Sequence, residues 1–430
     1  MNGRGEEAIP KRKLHFGYLV VSALVLTSFV PLSLGISCSG LFYPPIAELL
    51  GIEKGMASYY ISVLWIASMV SLPFTGKLLN GKDARLCLSL AVGVMAVAFV
   101  WLSFTRTLWQ FYVGGFLMGI GVGVLLFLAP STLVNRWFAK RAGFYLGVIM
   151  AFTGIGGVVW STVGGVLIAT IGWSATYLVF AAMTACVIPA VLLMVASWPE
   201  DKGLEPWGAE TGASSEAEAE DSQRANRAHT EGVPASRAFR MPVFYLLAVL
   251  GFFLNFGMYV YIMIPSYATT LEIGVAFPLL GATAGSVAMA GQTASKLAMG
   301  AVGERHPIGG MAVTLGCGIV GLTLFSFATG SVAGYYAAAL GFGFYYGVTN
   351  VMMPILARRC FGNLDYATIY SRISVVASIS NVVGAFFWGT LIDFTGSYVP
   401  MFAGVIMLLA ASIVLVVAIV RKSDSRATKS

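Results

Sequence analysis

Apolar runs recur along the whole chain, broken at short intervals by loops that carry nearly all of its charge. A helix of about 20 residues crosses a ~30 Å hydrocarbon core. Twelve runs of that order lie at about 17–41, 57–78, 84–104, 108–134, 142–170, 173–196, 241–270, 276–301, 308–329, 331–357, 366–392 and 398–421. Lipid offers no partners for free amides, so each run is predicted to be helical. The chain then reads as a tail (1–16), a six-helix half (17–199), a polar segment (200–240), a second six-helix half (241–421) and a closing tail (422–430). This is an all-α membrane protein in two pseudo-symmetric halves.

The halves follow one plan. At a constant offset of 224 residues Gly76 matches Gly300, Pro130 matches Pro354, and Gly165-Val166-Leu167-Ile168 matches Gly389-Thr390-Leu391-Ile392. One offset held over such a span marks a duplicated unit. A duplicated membrane unit is the mark of a transporter that works between its halves.

Composition agrees: 58% of residues are hydrophobic, only 10% are charged, and the mean hydropathy is +0.82. A soluble fold is excluded. The net charge of +7 has a topological reading. Arg4, Lys11, Arg12 and Lys13, the loop residues Lys77, Lys82, Arg85, Arg136, Lys140, Arg141, Arg305, Arg358 and Arg359, and Arg421, Lys422, Arg426 and Lys429 fall on one side. Only Lys54 and Arg106 fall in the opposite short loops. By the positive-inside rule both termini are expected to be cytoplasmic. The basic excess then faces the headgroups of the lipid bilayer, and no nucleic-acid partner is expected. The expected location is the cytoplasmic (inner) membrane of a prokaryote, with many crossings.

The first apolar run follows Lys11-Arg12-Lys13, but it is longer than a cleavable signal core and lacks an Ala-x-Ala exit, so it reads as a retained span. Residues 200–240 hold nine acids, five bases and an Ala/Ser/Glu tract from Ala213 to Ser222, a composition that predicts a flexible cytoplasmic linker. The five cysteines have no metal or redox spacing and read as packing residues.

Two loops carry recognisable marks. Gly76-Lys77-Leu78-Leu79-Asn80-Gly81-Lys82-Asp83-Ala84-Arg85 resembles the loop motif of the major facilitator superfamily, Gly-x-Leu-Ala-Asp-Arg-x-Gly-Arg-Arg, with Asn80 in the place of its Asp. Its repeat partner, Gly300-Ala301-Val302-Gly303-Glu304-Arg305, keeps an acid-base pair. The resemblance implies a cytoplasmic gate built from Gly76, Asn80, Asp83, Arg85, Gly300, Glu304 and Arg305, weaker in the first half where Asn80 is uncharged. Trp137-Phe138-Ala139-Lys140-Arg141-Ala142-Gly143 and Asp393-Phe394-Thr395-Gly396-Ser397-Tyr398 are similar to signatures of the monocarboxylate porter and oxalate-formate antiporter branch. The superfamily's antiporter motif is not kept, since Trp160-Ser161 stands where Gly-Pro is expected, and it implies nothing about exchange.

Two ionisable residues fall clearly inside spans, Lys296 and Arg372, and both are basic. A buried base costs about 2.5–3.5 kcal/mol on insertion scales, and an anionic substrate would offset that. At ~1.5 Å per residue each lies roughly 10–12 Å in from the nearest loop, where a long side chain can also snorkel to the interface. Carboxylate-carrying relatives place an Arg at the position of Lys296 and an Asp one turn earlier, where this chain has Gln292. Asn255 and Tyr259, and again Tyr346 and Asn350, are four residues apart and predicted to share a face. Such pairs can bind a carboxylate or bond helix to helix.

No His, Cys or Asp set has catalytic or metal-binding spacing, and no phosphate loop is present. An enzyme is not expected, nor is a cofactor. The reading is a secondary transporter that moves a small organic anion, a monocarboxylate, by alternating access. Lys296 is the principal countercharge. Gln292, Asn255, Tyr259, Tyr346 and Asn350 form the polar lining, and Arg372 is a second base or gate. Two alternatives stand beside it: a carrier of neutral or cationic compounds in which both bases are structural, and a non-transporting receptor. A monomer is expected.

Overall fold

A computed structural model describes residues 15–52, 54–81, 83–208, 232–277, 279–327 and 330–427. Expectations that fall on residues 1–14 and 209–231 lie outside the described residues.

Ten helical stretches are long and apolar enough to cross a membrane. One of them, Ala142–Met194, is two helices run together, parted by Gly172 at φ 80° and ψ 163°. A further helix, Leu280–Val302, is 23 residues long but too rich in Gly, Ala, Ser and Thr, with Lys296 among them, to stand out by apolarity. The bundle therefore has twelve spans among the described residues. In chain order they are α1 Phe16–Leu50, α2 Lys54–Gly81, α3 Ala84–Ser103, α4 Leu108–Trp137, α5 142–171 and α6 173–194. The second half supplies α7 242–269, α8 Leu280–Val302, α9 Pro307–Phe327, α10 Val332–Phe361, α11 Tyr366–Thr395 and α12 Val399–Ala427. Gly396, the repeat partner of Gly172, likewise has a positive φ, 64°, and parts α11 from α12.

Four helices are interrupted part-way along over two residues or more, and α6 at the single residue Cys186. α1 widens into a π-helix over Ser28–Ser37, around Pro31, which has no N–H to donate. α4 does the same over Gly123–Leu128. α7 breaks at Met258–Tyr259 and α10 at Gly347–Val348. Shifted by the repeat offset, the two first-half segments fall on 252–261 and 347–352, so the interruptions occupy equivalent places in the two halves.

The halves meet along two seams, α5 against α8 and α2 against α11. Small residues allow both, as expected of helices that approach in lipid. The end of the bundle where Arg136, Arg141, Arg305 and Arg358 lie is called the basic face below.

The described ends of the polar segment are docked on that face, a departure from the free linker its composition predicts. Trp207 exchanges backbone hydrogen bonds with the loop after α4, Trp207 N to Trp137 O at 2.8 Å and Ala139 N to Trp207 O at 3.0 Å. Its ring joins Tyr18, Phe138 and Tyr145. At the other end Val233 N donates to Phe361 O at 2.8 Å and Ala235 N to Asp365 Oδ2 at 2.8 Å. In the sequence, the acidic composition of the segment hides the few apolar residues, Leu204, Trp207, Val233 and Phe239, that pack against the core.

Candidate functional site

The α5–α8 seam is built on glycine. A Cβ at Gly300 would lie 2.6 Å from Gly143 O and 2.8 Å from Gly147 Cα, so the two backbones touch directly. Further along the seam, Lys296 is fully buried, at 1% exposure. Its Nζ donates to Thr153 Oγ1 across the seam at 2.7 Å, and Thr153 passes its own proton to Met150 O at 2.7 Å. Among the described residues no carboxylate lies within ion-pair reach of this ammonium. A charged donor held by one neutral oxygen recovers about 1.5–3 kcal/mol of hydrogen bonding and leaves most of its charge uncompensated. Gln292, one turn earlier on α8, is buried against Gly154 of α5.

A second polar group lies between α4, α7, α10 and α11. Phe127 of α4, Gly251 and Asn255 of α7, Thr349, Asn350 and Met353 of α10, and Tyr370, Ile373, Ser374 and Ala377 of α11 line a small cavity. It has room for about one water molecule. Its hydrogen-bonding groups all come from the second half and none carries a formal charge. The first half contributes the ring of Phe127, from the π-helical part of α4. Asn255 is buried and donates one Nδ2–H to Gly251 O at 2.8 Å, which leaves Oδ1 and the second Nδ2–H as the groups it offers.

Asn255 and Asn350 are thus brought together, and Lys296 with Gln292 forms a separate group on the α5–α8 seam. Tyr259 and Tyr346 join neither. The break at Met258–Tyr259 ends the α-helical register between Asn255 and Tyr259, and Tyr259 turns toward Gly389 of α11. The break at Gly347–Val348 does the same between Tyr346 and Asn350, and Tyr346 stacks on Tyr261 at 5.1 Å. Arg372 is exposed, while its neighbours Ser371, Ile373 and Ser374 face inward. It is not among the residues that line the cavity.

The basic face closes the halves. Arg358 of α10 donates to Asn135 Oδ1 at 3.2 Å and to Phe138 O at 3.4 Å, and lies 4.0 Å from Glu304. Glu304 Oε1 accepts from Gly143 N at 2.7 Å, and Asn363 donates to Asn135 O at 3.3 Å. Gly76 and Gly300 pack into the opposite half, and Glu304 reaches it through Gly143 N. The rest of the expected gate does not: Asp83 caps α3, accepting from Arg85 N at 2.9 Å and Ser197 Oγ at 2.8 Å, and Arg85 Nε donates to Val195 O at 3.0 Å. These bonds stay inside the first half; Asp83 stands three residues past Asn80, the position of the motif's acid. Arg305 is exposed, and the Asn80 side chain lies outside the described residues. Arg136 braces the same end of the first half. It is buried, donates to Leu79 O at 2.9 Å and lies over the Trp198 ring at 4.0 Å. Its place beside Trp137, read only as a loop charge, concealed it.

Two six-helix halves joined by glycine seams, closed at one face, with buried polar groups between them, define a twelve-helix membrane bundle of duplicated halves. The profile of the Major Facilitator Superfamily matches residues 25–373, and the chain belongs to that family. The fold is similar to a solved structure of the proton:xylose symporter XylE bound to 6-bromo-6-deoxy-D-glucose, with a TM-score of 0.69, 11% identity and 94% of each chain covered. Among curated relatives, Multidrug resistance protein MdtG of Escherichia fergusonii is 30% identical over 42% of this chain and 43% of its own. Monocarboxylate transporter 6 of Homo sapiens is 24% identical over 48% of this chain and 42% of its own. The chain spans under half the length of the curated relatives it matches.

Proposed function

We propose that this transporter carries a small organic anion, a monocarboxylate, and that Lys296 is its countercharge. The observation that carries the reading is the buried Lys296 ammonium on the seam between the halves, with one hydroxyl partner and no acid among the described residues. A carboxylate that reached Lys296 as the seam opens would neutralise it, which ties binding to rearrangement of the halves. The similarity to a monocarboxylate transporter supports the class of substrate. The distribution of Lys and Arg supports termini on the cytoplasmic side. The test is uptake of labelled acetate, lactate and benzoate by proteoliposomes. Flux of at least one is expected, with loss of about tenfold or more in Lys296→Gln; unchanged flux in that variant removes Lys296 from the role.

A second reading is favoured by the cavity. Asn255, Asn350, Thr349, Tyr370 and Ser374 bear no formal charge, which suits a neutral solute, and a multidrug resistance protein is among the similar chains. On that reading carboxylates neither move nor stabilise the protein, and Lys296→Gln transports normally.

A further inference from the structure

On α7 the carbonyls on either side of Asn255 are both engaged by side chains of other helices. The Tyr345 hydroxyl of α10 donates to Leu254 O. The Trp388 indole N–H of α11 donates to Phe256 O at 2.9 Å. Both side chains are buried, at 0% and 3% exposure. Immediately beyond, α7 breaks, and Met258 N bonds Asn255 O at 3.1 Å in a three-residue turn in place of the helical pattern.

The first half has a related arrangement. Trp160 of α5 donates its indole N–H to Phe29 O at 2.7 Å, inside the π-helical part of α1. Shifted by the repeat offset, Trp160 and Phe29 fall on positions 384 and 253, within about one helical turn of Trp388 and Phe256. Each half thus aims a tryptophan from its seam helix at the backbone of its interrupted first helix.

A buried Tyr or Trp needs a partner for its polar atom, and any carbonyl would serve. Here the two donors flank one residue, the Asn that faces the cavity, and do so one turn before a break. A break in a helix is a place where the segments on either side move separately unless something bonds one of them to its surroundings.

We propose that Tyr345 and Trp388 are positioning residues that fix the Asn255 turn of α7 to α10 and α11, so that Asn255 keeps its place at the cavity while the outer segment, Val260–Thr269, pivots at Met258–Tyr259. The inference rests on the cavity being where the solute is received, whichever solute that is.

Hydrogen–deuterium exchange of the full-length protein in lipid nanodiscs tests the bracket without any solute. Tyr345→Phe keeps the ring and removes the donor; Trp388→Phe removes the donor and replaces the indole with a smaller ring. Peptides over 254–262 are expected to exchange at least about tenfold faster in each variant, with α9 and α12 unchanged. In proteoliposomes, for whichever of labelled acetate, lactate and benzoate is carried, KM should rise about tenfold with Vmax within about twofold. Trp388→Phe should add nothing to the KM of Asn255→Ala. Unchanged exchange over 254–262 overturns the bracket whatever is transported. Faster exchange with KM effects that add to those of Asn255→Ala overturns the positioning role. If wild type carries none of the three anions, the anion reading falls, and the exchange result alone decides for or against the bracket.

Discussion

Gly76 and Gly300, partners in the repeat, meet the opposite half through partner positions as well. A Cβ at Gly76 would lie 2.6 Å from Ser371 Oγ and 2.9 Å from Ala367 O; the atoms it would meet at Gly300 belong to Gly147 and Gly143, which the same offset carries onto Ser371 and Ala367. The two seams are therefore one contact used twice.

That equivalence makes a paired prediction. Gly76→Val and Gly300→Val each force a branched side chain into a backbone contact, an overpacking that costs about 1–3 kcal/mol. The cost falls on the closed basic face, so each variant should lose most of its flux while the purified protein still melts cooperatively. Proteoliposome flux beside thermal unfolding checks this, and a tolerated Val at either position contradicts the seam.

Lys296 and Thr153 predict a split between stability and function. Thr153→Val removes the one hydroxyl that Lys296 bonds and should lower stability by about 1–3 kcal/mol. Lys296→Met replaces a buried charge with an apolar chain of similar length and should leave stability equal or higher, with transport lost. Thermal unfolding of both variants in one detergent is the measurement.

Arg136 should matter to the fold and not to the solute. Arg136→Met gives up the bond to Leu79 O and the contact with Trp198, and is expected to destabilise by about 1–3 kcal/mol. KM should stay within about twofold of wild type.

Phe127 is the first half's wall of the cavity. Phe127→Ala opens space there, at a cost of about 3–5 kcal/mol if the site does not collapse. The variant should accept bulkier solutes at the expense of small ones, read as a reversed order of flux between benzoate and acetate.

Much of this architecture is legible in the residue order. Runs of apolar residues give the spans, and the interval between the fifth and sixth runs falls at the Gly172 break. The faces of the helices are less legible. Pairing Asn255 with Tyr259, and Tyr346 with Asn350, assumes unbroken helix, and both pairs straddle an interruption. A signal was present: Gly123 and Gly347 are repeat partners within spans, and each lies where its helix departs from α geometry. Thr153, Thr349, Ser374 and Tyr370 were out of reach, because one hydroxyl looks like another until neighbouring helices are placed. Arg372 reads as buried by sequence depth, and only the direction of its side chain shows otherwise.

On the anion reading, a charged Lys296 gives the transport cycle an electrical signature. A positive charge on the seam is exposed to part of the membrane field as the empty carrier turns over. The same carrier loaded with a monoanion presents no net charge there. A full elementary charge moved through the field is worth about 2.3 kcal/mol per 100 mV, so on the anion reading the voltage acts on the return of the empty protein and spares the loaded step. Exchange of anion for anion, which never passes through the empty form, would then proceed at the same rate at any potential.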